Sequence, residues 1–226
     1  MNAVPVVGLL DSGVPEAQAM ASRRFALGDD GTVESQTAHS DSLGHGTALA
    51  ALILARAPAA RLLNAQIFDH RGITSPAAAA AGIRWLTAAG ARLINLSFGL
   101  TQDRAVLAEA CAQAVKAGVL LVASTPAMGP CVFPAAYPGI VKVTGDGRCH
   151  GDDIAWLDGA RADFGASPRP VADSKVAGAS VAAARVTAAL AQLLAIRPER
   201  ENSAVLRRLA GTAAHRGLQR EHYHDR

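Results

Sequence analysis

The chain has 226 residues, half of them hydrophobic and only 4% aromatic, with a formal net charge of +3. That length suits one domain with one good core, built mostly from Ala, Val, Leu and Ile. So small a charge, on scattered basic residues, excludes an extended nucleic-acid surface, and the Arg- and His-rich stretch from Arg207 on reads as a solvated, frayed terminus.

Val4–Leu10 is a nearly continuous apolar run that ends in Asp11-Ser12-Gly13. This is the pattern of a buried parallel strand with a polar residue at its C-terminal end. Before it, Met1-Asn2-Ala3 offers no basic region and no cleavage site, so no secretory signal is expected. Residues 45–56, rich in Ala and Leu, predict a helix, and Arg61–Phe68 a second strand. Ser75 as N-cap and Pro76 at the first helical position start the next helix, which runs through Trp85 to about Ala89 and is closed by Gly90. Arg92–Ser97 is the third strand, leading into Phe98-Gly99, and Asp103–Ala117 is a helix closed by Gly118. Val119–Ala123 and Ile140–Thr144 are the fourth and fifth strands. Ala179–Ile196 is the longest helical pattern and is apolar all round, as a helix in the middle of a domain would be. A last helix covers roughly Glu201–Leu209.

Strands alternating with helices predict an α/β fold: three layers, with a mostly parallel central sheet and helices on both faces. Functional sites in such sheets collect beyond the C-terminal strand ends. Asp11 and Ser97 fall at such ends, while Ser180 opens the long helix, where backbone N–H groups are free. Asp11 and Arg185 interrupt the two best apolar runs, so no membrane partner is expected. Three cysteines, Cys111, Cys131 and Cys149, make no disulfide framework and point to a reducing cytoplasm. A Cys131–Cys149 bridge stays open, and Cys131 reads as a small buried apolar residue. Asp29-Asp30 and Asp152-Asp153 read as solvated loop carboxylates, so neither a metal site nor any other cofactor is expected.

Three local contexts carry chemistry. They are Val-Gly-Leu-Leu-Asp-Ser-Gly at 7–13, Gly-His-Gly-Thr at 44–47, and Gly-Ala-Ser-Val-Ala-Ala at 178–183. Each has an ordinary reading: Asp11 as a turn former, His45 as a histidine near a helix start, Ser180 as an N-cap. His39 competes with His45. Together they supply what nucleophilic acyl transfer needs: a hydroxyl that attacks, an imidazole that moves its proton, and a carboxylate that orients the imidazole. This is not the Gly-x-Ser-x-Gly elbow, since Ala182 stands at the last position.

Over roughly residues 4–196 the chain resembles the subtilisin family of serine proteases. The Asp-Ser-Gly after a strand, the His-Gly-Thr opening a helix and the Gly-x-Ser-x-Ala-Ala opening a long helix are its signature blocks. The order Asp, His, Ser is the subtilisin order. The resemblance implies one peptidase domain over 1–226 with a flexible tail from about 212, and Asp11, His45 and Ser180 as the triad. It implies that Ser97, Phe98 and Gly99 pair with the substrate backbone as an added strand. Asp69–Ile73 would form the opposite wall of the first specificity pocket, its charges favouring a polar or charged side chain.

The sequence departs from the family in four places. The oxyanion Asn usual in the family is missing from Val122–Ala127, so Ser180 itself, Thr125 and Ser124 are the oxyanion candidates. Loss of one such donor costs about 10²–10³ in rate. Ala179 stands where Thr is common before the nucleophile. Ala184-Arg185 replaces the usual Pro-His, and Arg185 on a buried helix needs a partner, with Asp158 and Asp163 as candidates. The chain is short, and calcium-holding loops are trimmed. These features are similar to those of reduced subtilisin-like enzymes that remove leader peptides from modified peptides. Two further readings stay open: a pseudoprotease that binds peptides, and an esterase or acyl transferase.

Overall fold

The computed structural model describes residues 4–170, 174–197 and 201–218. β1 (Val6–Asp11) is the centre of the sheet, with β4 (Arg61–Gln66) on one side and β5 (Leu93–Leu96) on the other, both parallel to it. Outside β4 lie β2 (Ala21–Leu27), parallel, and β3 (Val33–Thr37), antiparallel at the edge. Outside β5 follow β6 (Leu120–Ser124), β7 (Val141–Gly145) and β9 (Phe164–Ala166), all parallel. β8 (Ile154–Trp156) runs antiparallel to β9, and β10 (His215–Arg216) pairs with β8. The layered, mostly parallel α/β arrangement expected from the strand–helix alternation is the fold observed.

Two helical layers cover the sheet. On one face α1 (His45–Arg56), α4 (Ala179–Ile196) and α5 (Asn202–Gly211) bury Leu49, Ile53, Val186, Leu190 and Leu194 against Val7, Leu9, Val122 and Val143. On the other, α2 (Pro76–Ala88) and α3 (Ala105–Lys116) bury Ile83, Leu86 and Leu107 against Leu10, Leu63, Ile94 and Leu121. β1 therefore contributes to both cores, which explains its unbroken apolar run. The Ala-rich faces of α2 and α4 let both helices lie close to the sheet; at Gly82 a Cβ would approach Leu10 Cδ1 to 2.4 Å. Ser75 caps α2 as expected, its hydroxyl accepting from Ala78 N at 3.1 Å.

Connectivity places the site. The chain goes from β1 through β2, β3 and α1 to β4 on one side, then through α2 back across β1 to β5 on the other. Neighbouring strands β1 and β5 thus diverge in connection at their C-terminal ends, the point where open α/β sheets hold ligands. Asp11 and Ser97 lie at this divergence. α1 and α4 pack side by side and both begin at this end of the sheet, bringing His45 and Ser180 to it.

Several expectations need correcting. Within the stretch from about 212 that was expected to be a flexible tail, His215–Arg216 pairs with β8 and Arg216 lies over the Trp156 ring at 5.0 Å. The remainder of that tail, 219–226, lies outside the described residues. Arg185 is held neither by Asp158 nor by Asp163: it donates to Gly151 O at 2.7 Å and lies 3.8 Å from Asp152, which also pairs with Arg56. Asp163 is already engaged by Lys142 N at 2.8 Å. Asp152 is therefore an ion-pair partner, although its side chain is largely exposed. Cys131 is exposed rather than buried, and all three cysteines are free. α4, with Arg185 in it, is by length and composition alone long and apolar enough to cross a membrane, but here it is mostly buried as the core helix.

Candidate active site

β1 delivers Asp11 at its last residue, fully buried. Asp11 Oδ1 accepts from Ser12 N at 2.7 Å, from Ser12 Oγ at 3.2 Å, and faces His45 Nδ1 at 2.7 Å. Asp11 Oδ2 is buried with no partner among the described residues. The structure thus pairs Asp11 with His45 and not with His39, whose backbone is tied to Gln66 instead.

His45 is the first residue of α1, and the loop before it is organised by a carboxylate that the sequence reading passed over. Asp41 Oδ1 accepts from Leu43 N at 3.1 Å and Gly44 N at 2.9 Å, and Oδ2 accepts from Thr47 N at 2.9 Å and Thr47 Oγ1 at 2.6 Å. Gly46 N donates to Ser12 Oγ at 2.9 Å. Two of the N–H groups left open by the start of α1 are thereby satisfied. The available signal was an acidic residue shortly before a helix whose N-cap, Gly44, has no side chain to cap with. Burial pushes the Asp41 carboxyl up, but the Thr47, Ser12 and Gly44 hydrogen bonds outweigh it and hold it below the usual range. For His45, burial pulls the imidazole pKa down, and the hydrogen bond and charge of Asp11 with the charge of Asp41 more than restore it, so the net shift is upward.

The close approach of α1 to the β1 turn requires glycine. A Cβ on Gly46 would lie 2.2 Å from Gly13 O and 3.2 Å from Asp11 Cβ. Gly46→Ala is expected to cost about 1–3 kcal/mol through overpacking against rigid backbone. It should also push His45 off Asp11, so that the melting temperature and serine reactivity fall together; calorimetry and active-site labelling on one sample check this.

Ser180 is the second residue of α4, half-buried. The helix N-cap, Gly178, has φ 92° and ψ −156°, a conformation that favours glycine, and no side chain caps the first turn. The N–H of Ser180 is therefore an open backbone donor beside its own hydroxyl. Among the described residues Ser180 Oγ makes no hydrogen bond; His45 Nε2 likewise has no partner. The arrangement is an oriented imidazole with a free ring nitrogen, at the same end of the sheet as the first turn of α4, which carries Ser180.

Ser97, Phe98 and Gly99 extend β5 beyond its last ladder partner, and their backbone groups are unpaired within the described chain. Leu100 then bonds Phe133 in both directions, at 2.7 and 2.8 Å. Phe98 is buried against Phe68, with ring centroids 6.4 Å apart. Of the oxyanion candidates, Ser124 lies on the face of β6 that carries Val122 toward α4. Thr125 instead lines a cavity of about 390 Å³ with Cys131, Tyr137 and Ile140, and its N–H is spent on Val143 O at 2.8 Å. The Asp69 carboxylate is folded into its own turn by Arg71 N and Ile73 N, at 2.9 and 2.8 Å. Leu43 and Ile73 are exposed nearby.

The subtilase family profile matches residues 3–154, ending before Ser180. The minor extracellular protease Epr of Bacillus subtilis is 29% identical over 150 residues, covering 61% of this chain and 23% of that protein, so the chain spans less than a quarter of that relative. Subtilisin DY of Bacillus licheniformis is 24% identical over 234 residues, covering 93% of this chain and 84% of its own. Among solved structures, a protease of Pseudoalteromonas arctica PAMC 21717 shares the fold with a TM-score of 0.73 at 18% identity, over 92% of this chain and 82% of that one.

Proposed function

This chain belongs to the subtilase family, and from that premise we propose that it is a serine endopeptidase in which Asp11, His45 and Ser180 form the triad. The observation that carries the reading is the 2.7 Å contact between a fully buried Asp11 and His45 Nδ1. It fixes the imidazole with its other nitrogen free to take the Ser180 proton. The hydroxyl then attacks the scissile carbonyl, His45 returns the proton to the leaving amine, and water repeats the cycle on the acyl-enzyme. Ser97–Gly99 bind the substrate backbone as an added strand. The Ser180 N–H receives the oxyanion, and the usual Asn is missing.

A weak oxyanion site suits an enzyme that draws rate from extended contacts with one dedicated substrate. The reading extends to a leader peptide cut during maturation of a modified peptide or protein, as by the leader-cleaving protease of quinohemoprotein amine dehydrogenase maturation. Its support is the altered oxyanion stretch at Val122–Ala127. Three free thiols support a reducing cytoplasmic setting. A pseudoprotease is favoured by one observation, the absence of a hydrogen bond between Ser180 and His45; such contacts are often loose before substrate binds.

The test is a fluorophosphonate probe read by intact mass. Phosphonylation of the wild type at Ser180 supports the reading; an inert wild type across neutral and alkaline pH would sink it in favour of the pseudoprotease. Labelling requires neutral His45, and because the His45 pKa is raised, the rate should climb with pH through a midpoint above 6.5. Asp41→Asn removes a negative charge that favours the imidazolium, so the midpoint should move down. A pH–rate profile of the two proteins checks the sign.

A further inference from the structure

In acyl transfer the carbonyl oxygen gains charge, and a dry site stabilises it with fixed donors. The Ser180 N–H is one. Thr125 offers neither its N–H, which is spent on Val143, nor a side chain turned to α4, since it lines the cavity beside Tyr137.

A line of buried hydrogen bonds runs between α4 and the end of β5. The Thr187 hydroxyl donates to Asn95 Oδ1 at 2.9 Å, and Asn95 Nδ2 donates to Ser97 Oγ at 2.7 Å. Thr187 and Asn95 are fully buried and Ser97 is 7% exposed. The line has a direction. Asn95 uses its acceptor on Thr187 and a donor proton on Ser97, so Ser97 Oγ is an acceptor here and its own proton remains. Among the described residues nothing receives that proton.

The levels of the two elements say where the proton can act. Ser97 lies two residues beyond Asn95, about 6.6 Å further toward the C-terminal end of the strand. Ser180 precedes Thr187 by two helical turns on the same side of α4, about 10.5 Å toward the same end. Ser97 therefore comes about 4 Å beneath the level of Ser180, on the strand face that α4 covers. Ser124 is its neighbour on β6, following the Leu96–Ala123 pair, but no buried group holds the Ser124 hydroxyl.

We propose that Ser97 is a further catalytic residue, its hydroxyl donating to the oxygen that becomes negative when Ser180 attacks, and that Asn95 and Thr187 are positioning residues that aim it. The inference rests on the acyl-transfer reading above. It accounts for an oxyanion site without the family's Asn by a hydroxyl polarised through two buried partners.

The experiment is the rate of fluorophosphonate labelling against pH, on folded variants checked by thermal melting. Ser97→Ala should lower the plateau 10- to 100-fold and leave the pH midpoint in place, because Ser97 does not titrate. Asn95→Asp reverses the line: a carboxylate only accepts, so Ser97 must donate to it and its proton leaves the site. That variant should match the lowered plateau of Ser97→Ala, although its added charge moves its own pH midpoint upward, so the midpoint is read on Ser97→Ala alone; the double variant should be no slower than the worse single. Should Asn95→Asp fail to fold, Thr187→Val, with Thr187→Ser recovering most of the lost rate, gives the same reading. Equal plateaus for wild type and Ser97→Ala, a moved midpoint, or a loss found only with Ser124→Ala would overturn the inference while leaving the endopeptidase reading intact. An unlabelled wild type would overturn both.

Discussion

Ser180→Ala should abolish covalent labelling and lower peptide hydrolysis by about 10⁶, the scale on which removing the nucleophile of a serine triad acts. The fold should barely respond. Ser180 Oγ is half-buried and makes no hydrogen bond, so its removal leaves no orphaned partner and stability should stay within about 0.5 kcal/mol. That separation is what the measurement needs: intact mass shows no adduct, while the melting temperature stays at its wild-type value. A variant that keeps its activity would mean another residue is the nucleophile. A variant that loses both activity and fold would assign Ser180 to holding the first turn of α4 in place.

Asp11→Asn should cost about 10⁴ in kcat, as expected when the orienting carboxylate becomes an amide. The amide oxygen can still accept one bond, but an amide nitrogen facing His45 Nδ1 would force the imidazole proton onto Nε2, the nitrogen that must receive the Ser180 proton. The stability cost is a second signature. Asp11 Oδ1 serves Ser12 N, Ser12 Oγ and His45 together, while Oδ2 is buried without a partner. Placing NH₂ at the Oδ1 position takes the acceptor from Ser12 N and sets two buried donors against each other, at about 1–3 kcal/mol. The pH midpoint should also fall, because the negative charge that raises the His45 pKa is gone. Steady-state kinetics across pH, with a denaturation curve, would show all three changes; wild-type kcat with lowered stability would reduce Asp11 to a turn residue.

The parallel heart of the fold was legible because β1, β5 and β6 are buried on both faces and so read as nearly apolar runs. β2 was not, since Ala21–Leu27 carries Ser22, Arg23 and Arg24 and buries only Phe25. β8 and β9 are three residues each, too short to show a period. Asp11 and His45 were legible as candidates because Gly13 and Gly46 beside them meet with no room for a side chain, and Ser180 because Gly178 before it has a φ of 92° that favours glycine. Asp41 was not, because three of its four bonds go to backbone N–H groups, which leave no mark on neighbouring side-chain types, and Thr47 alone adds a hydroxyl. The Arg185 partner was unreadable for a related reason: Gly151 contributes a carbonyl, and Asp152 reaches the helix from the β7–β8 connection. Thr187 passed unnoticed inside a helix that is otherwise apolar.

The shared starting point of α1 and α4 also bears on when the molecule becomes reactive during synthesis. Asp11 and His45 leave the ribosome early, with β1 and α1. The serine arrives on the last large core helix, and α4 can seat only once β5, β6, β7 and β9 offer the surface it covers. A partly made or partly unfolded chain therefore holds an imidazole–carboxylate pair with no hydroxyl to activate. On the proposed triad, hydrolytic power would come only with the closing of the core, and the folding reaction itself would serve as the safety catch on Ser180.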